Sequence, residues 1–133
     1  MKENYKTSGI FLRVKSLVID NLLLITLMFL ASDLLARFEN NNTNIKIMIF
    51  VFIFILYEPL SLTIFGKTLG HFLNQIKVIK HSNGKKLNLF QSIIRYLFKY
   101  LLGWLSFITV SFNKDSKAIH DIVVNSIVVI DEY

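Results

Sequence analysis

The chain has no cysteine, one proline, one tryptophan and five glycines, and only nine acidic residues among 133. Without cysteine there can be no disulfide, thiolate metal site, iron–sulfur ligation or cysteine nucleophile. The three histidines, His71, His81 and His120, are scattered and form no His-x-x-x-His pair, so zinc chemistry lacks a ligand pattern. Charged residues make up 18% of the chain against 53% hydrophobic, which is too apolar for an ordinary soluble fold and excludes disorder. The net charge of +6 would suggest nucleic acid in a soluble protein. Among long apolar runs it points instead to anionic headgroups and a positive-inside bias, with no nucleic-acid partner expected.

The first apolar run, Leu17 to Ala36, has twenty residues. As a helix it would be about 30 Å long, enough to cross a bilayer core. It carries Asp20, Asn21 and Asp33, which a cleaved leader would not. The second run, Ile47 to Phe65, is interrupted only by Glu58 and Pro59, and the asparagine-rich segment between the two runs turns the chain. Basic residues crowd both outer flanks: Lys2, Lys6, Arg13 and Lys15 before the first span, and Lys67, Lys77, Lys80, Lys85 and Lys86 after the second. Those flanks are expected in the cytoplasm and the asparagine-rich loop outside.

The third apolar region, Leu89 to Phe112, has an uncharged core of thirteen residues from Tyr100. That is short of the roughly 20 a span needs. Arg95 and Lys99 share a helical face, as in an interfacial amphipathic helix, and Gly103 permits the more apolar second half to bend back. The region is therefore re-entrant, interfacial or spanning. Asn83-Gly84 between IKVI and KKLNL reads as a β-hairpin, and Val123 to Ile130 is a further β-branched run. A third strand would support the marginal hairpin, and one sheet would bring both termini to the cytoplasmic side. The fold class expected is an all-α integral membrane domain with two transmembrane helices, this third region, and a small cytoplasmic β-hairpin or three-stranded sheet.

Four segments, GIFLRVKSLVIDNLLL, FGKTLGHFLNQIKVI, SIIRYL and AIHDIVVNSIVVI, resemble in their order the RDD family of small membrane proteins, over Gly9 to Ile130. The arginine and two aspartates of the family's name correspond to Arg13, Asp20 and Asp121. His71 stands where the family usually has Lys or Arg, and Asn125-Ser126 where Gly-Thr is common. The resemblance implies one polytopic domain, residues 9–130, in the bacterial cytoplasmic membrane. Transport is the usual proposal for the family, with some members linked to sodium–proton exchange.

Arg13 and Asp20 are seven residues apart, about 10 Å along a helix and too far for an easy pair. Arg13 is therefore expected to bond Asp121, and Asp20 to bond Arg95 or a helix terminus, the four forming a structural clamp. Glu58, near the middle of the second apolar run, has no partner in its own helix, and Pro59 frees the carbonyl of Ile55. An intramembrane carboxylate beside a broken helix suits a proton or monovalent cation. Glu58, with Asp20 and with Asp33 as an outer mouth, is the candidate ion or proton site; the alternative is a merely structural carboxylate. GKTLG lacks phosphate-loop spacing, and no serine sits in a GxSxG elbow, so neither an enzyme nor a cofactor is expected. The functions expected are a small cation/proton exchanger working as a homo-oligomer, or a non-transporting accessory subunit of a membrane complex.

Overall fold

In the computed structural model, residues 5–38 and 42–132 are described. Lys2, Glu3 and residues 39–41, the tip of the asparagine-rich connection, lie outside them. Helix α1 (Ile10–Arg37) and helix α2 (Thr43–Ile64) are both long and apolar enough to cross a membrane. α1 starts seven residues before the apolar run and so takes Arg13 into the helix. Asn42 caps α2 through its side-chain oxygen, which accepts from the Asn44 N–H at 3.2 Å. α2 runs through Pro59 without ending.

The third region is helix α4 (Leu89–Leu102) followed by helix α5 (Trp104–Phe112), bent by 101° at Gly103. Gly103 has φ +50° and ψ −126°, a conformation that a side chain would strain. The kink turns α5 back toward the short helix α6 (Ile119–Val123). The pair thus has the broken geometry of a re-entrant element. α4 is strongly one-sided: Ser92, Arg95, Tyr96 and Lys99 are buried, while Phe90, Leu97 and Leu101 are exposed.

Short helix α3 (Leu69–Leu73) leads into strand β1 (Ile76–Lys80), and α6 leads into strand β2 (Ser126–Ile130). β1 and β2 pair antiparallel, Val78 opposite Val128. The two-stranded sheet is present, but the partner expected for β1 is not the one found. The segment after Asn83-Gly84 makes a turn, with Lys80 N–H donating to the Lys85 carbonyl at 2.8 Å, and does not continue as a strand. Lys85 and Lys86 offer no apolar alternation to bury, whereas SIVVI is buried along almost its whole length. A third chain segment does join the sheet, and it is the N-terminal one. Thr7 bridges Val129, and Ser8 N–H donates to the Val128 carbonyl at 2.9 Å.

One sheet face buries Ile76, Val78 and Val128 against Leu62, Leu87 and Val124; the other buries Ile79, Ile127 and Val129 beneath Tyr5. This sheet layer is the packed base of the molecule. Beyond it the long halves of α1 and α2 expose Phe29, Leu30, Met48 and Phe52, as lipid-facing helices do.

Candidate functional site

A layer of buried polar side chains separates the sheet from the apolar helices. Its centre is Asp121, fully buried in the first turn of α6. Arg13 donates to its Oδ2 from Nη1 at 2.5 Å and Arg95 to its Oδ1 from Nε at 2.9 Å. The Ala118 N–H and the Ser126 hydroxyl, each at 3.3 Å, complete the set. Arg13 also reaches Ser8 Oγ at 3.2 Å and the Ser116 carbonyl at 2.5 Å. Burial alone would raise the Asp121 carboxyl; Arg95, His120 and Arg13 override it and hold the group well below the usual carboxylate range.

Arg95 turns its other edge to Glu58, with Nη1 to Oε1 at 3.0 Å, and Lys99 Nζ lies 2.7 Å from Glu58 Oε2. Glu58 therefore has two basic partners, one turn apart on α4, although none in its own helix. Nor is it at mid-span. From Glu58 to Ile64 is six residues, about 9 Å, and from Thr43 to Glu58 fifteen, about 22 Å. The carboxylate lies toward the sheet end of the span because α2 ends just where it meets that layer.

Asp20 lies in a neighbouring pocket and does not touch Arg95. Its Oδ1 accepts from Tyr57 Oη at 2.9 Å and from Gly70 N–H at 2.8 Å, and its Oδ2 from Thr68 Oγ1 at 2.5 Å. Of the two partners expected for Asp20, the helix terminus is the one present: these donors frame the start of α3. Gly70 is required by the close approach of α3 to α1, since a Cβ there would stand 2.2 Å from the Ser16 carbonyl oxygen and 2.8 Å from Asp20 Oδ2. Thr68 caps α3, accepting from His71 N–H at 3.2 Å, and its hydroxyl oxygen lies 2.9 Å from His71 Nδ1. Burial, reinforced by Arg95 and Lys99, pushes the His71 imidazole down to about 3.

Asp33 is exposed near the far end of α1, paired with Arg37 at 3.0 Å, and has no part in this layer. Lys67, one of the basic residues that follow the second span, meets Asp131 at 2.7 Å, beside Lys77 at 2.8 Å. Ser106, not singled out in the sequence, forms a buried hydrogen bond between its Oγ and Nδ1 of His120, one of the histidines read there as scattered. His120 is pushed down to about 3, mainly by burial and then by Arg95. Ser106 is fully buried and its oxygen also accepts from the His120 N–H, so the pair braces α5 against α6.

The layer thus holds three cations, Arg13, Arg95 and Lys99, and three carboxylates, Asp20, Glu58 and Asp121, five of them in direct ion pairs. Among the described residues no buried side-chain polar atom lacks a partner, and no group of three metal-ligating residues converges. Chemically, the arrangement fixes four helices to one another. It also holds one carboxylate, Asp20, by neutral donors.

Residues 7–125 match the RDD family. Neither a curated protein nor a solved structure matches the chain.

Proposed function

The chain belongs to the RDD family, and we propose that within it this small multi-pass membrane protein serves as a non-transporting accessory subunit, a rigid platform fastened to the bilayer for other membrane components. One observation carries the reading: the oxygens of Glu58 and Asp121 are occupied by basic side chains of the same chain. A carrier carboxylate must exchange partners during its cycle. At Glu58, the Lys99 ammonium stands where a sodium ion would have to bind. Two crossing helices also enclose no path of their own. The sheet side carries Lys6, Lys15, Lys80, Lys85 and Lys114, a basic surface suited to anionic headgroups, and we assign this side to the cytoplasm by the positive-inside rule.

A second reading has a specific observation in its favour. Asp20 has no basic partner within ion-pair distance among the described residues, so proton or cation exchange, if the protein performs it, belongs at Asp20. Sealed proteoliposomes with a pH-sensitive dye inside decide between the two. The accessory reading expects no sodium- or potassium-dependent proton flux above that of protein-free vesicles. A flux present in the wild type and lost in Asp20→Asn at equal incorporation overturns it.

A further inference from the structure

Two stretches of the chain fold alike at a constant spacing of fifty residues. Thr68 and Ala118 are extended, with ψ of 175° and 165°. Five-residue helices follow, Leu69–Leu73 and Ile119–Val123. Then come Asn74 and Val124, with φ,ψ of −97°, 8° and −101°, 6°, and a residue in the left-handed region, Gln75 at φ 53° and Asn125 at φ 52°. Five-residue strands close both units. The pairing repeats too: Ile76 faces Ile130 and Lys80 faces Ser126, so a shift of fifty residues maps the ladder onto itself about the Val78–Val128 pair. The sheet base is thus an internal pseudo-two-fold repeat, although Val78 and Val128 are the only identical residues the two stretches share at that spacing.

Each unit follows a helical pair that leaves the sheet layer and returns to it. α3 packs on α1, and α6 packs on α4, the corresponding helix of the second repeat. The pairs differ in length. α1 and α2 have 28 and 22 residues, about 42 and 33 Å; α4 and α5 have 14 and 9, about 21 and 14 Å, and are kinked. The second repeat therefore lacks the outer half that the first possesses. Beside the shortened pair lies a cleft of about 420 Å³, lined by Met28, Phe50, Val51, Phe54, Tyr96 and Tyr100. It continues the α2–α4 contact that joins the two repeats.

We propose that a second copy of this chain supplies the missing helices, its α1–α2 pair lying over the α4–α5 bend and in this cleft. Each copy has one long helical pair to offer and one shortened pair to cover. Reciprocal exchange about a two-fold axis then satisfies both copies and leaves no open end. Between the polar layer and their far ends, over residues 22–30 of α1 and 47–55 of α2, the helices offered carry no charged side chain, as a cleft without charged lining requires. This inference does not rest on the accessory reading, because an exchanger would need the second copy as much as a platform does.

The absence of cysteine makes the test direct. Tyr100→Cys in one tagged copy is paired in native membranes with Met48→Cys, Phe52→Cys or Ile55→Cys in another, and oxidised. At least one pair should cross-link, while Ile122→Cys on the sheet base should not. Purified protein in lipid nanodiscs should contain two chains, and Val51→Trp, which fills the cleft, should lower the two-chain fraction roughly tenfold or more. A thermal scan of the Val51→Trp monomer separates loss of pairing from loss of fold, because the sheet base should still unfold cooperatively. A single chain per particle at every concentration, lipid tails then filling the cleft, overturns the proposal. So does a two-chain particle indifferent to Val51→Trp and silent in all three Tyr100→Cys pairings.

Discussion

Neutralising Asp121 tests the polar layer where it is tightest. Asp121→Asn keeps the shape, but Arg13 and Arg95 lose the carboxylate they share at 2.5 and 2.9 Å. Arg95 retains Glu58, whereas Arg13, 4% exposed, is left with the Ser8 hydroxyl and the Ser116 carbonyl, both neutral. Removing one partner of a buried ion pair costs about 3–5 kcal/mol, chiefly as the penalty of the stranded charge. At about 3–5 °C per kcal/mol for a chain of this size, the thermal midpoint should fall by about 10–25 °C. Asp131→Asn, which breaks the more exposed contacts to Lys67 and Lys77, should cost about 0–1 kcal/mol. Arg13→Met removes the stranded charge, so the double variant Arg13→Met/Asp121→Asn should be more stable than the sum of the singles by about 1–3 kcal/mol. Thermal unfolding of the detergent-solubilised protein measures all four. An Asp121→Asn midpoint within about 2 °C of wild type, or strict additivity, refutes the reasoning.

Three further outcomes follow from the same geometry. Lys6→Cys and Lys114→Cys should label with an impermeant thiol reagent from one side of the membrane and Asn44→Cys from the other, since the strand pairing returns the chain after α5 to the side of its N-terminal segment; labelling of Lys6→Cys and Lys114→Cys from opposite sides would mean that α4–α5 spans. His71 and His120, each held down to about 3 by burial, take up protons on unfolding that the folded chain refuses. Stability should therefore be fully present above about pH 6.5 and decline as pH falls toward 3, with Asp121 adding its loss only below about pH 4; a thermal midpoint flat from pH 8 to pH 4 contradicts this. Gly70→Ala forces a methyl against the Ser16 carbonyl, which is helix backbone and cannot turn aside, and should cost about 1–3 kcal/mol, whereas Gly9→Ala, which meets nothing, should be nearly silent.

What the sequence made legible was whatever depends on local pattern. The two long apolar runs become α1 and α2, and Gly103 marks the bend. The pairing of Arg13 with Asp121 followed from the seven-residue gap that keeps Arg13 from Asp20, once the family resemblance had singled out the three residues. The partners of Glu58 were hidden for a physical reason: Lys99 and Arg95 are distant in sequence, and a basic pair one turn apart on an amphipathic helix reads equally well as a solvated face. The true partner of β1 was obscured because Asn83-Gly84 is a strong turn signal, and it does form a turn. Strand pairing beyond it was decided by which segment could bury both faces, and SIVVI could where KKLNL could not. The donors to Asp20, two hydroxyls and an amide N–H, carry no charge and left no mark that a search for ion pairs would find.

Arg13 and Asp121 are 108 residues apart, and this separation bears on the order in which the chain is made. Arg13 is made in the first turn of α1, whereas its carboxylate and the strand that closes the sheet are made only after both long helices and the α4–α5 pair. Until then the Arg13 guanidinium must remain at the membrane surface, where water can serve it, although Arg95 already has Glu58 and α3 can already dock on Asp20. Closure of the base therefore has to wait until α6 and β2 have been made. A nascent chain ending at Lys117 should insert its two long helices yet stay open to protease on the sheet side, and one extended through β2 should be closed.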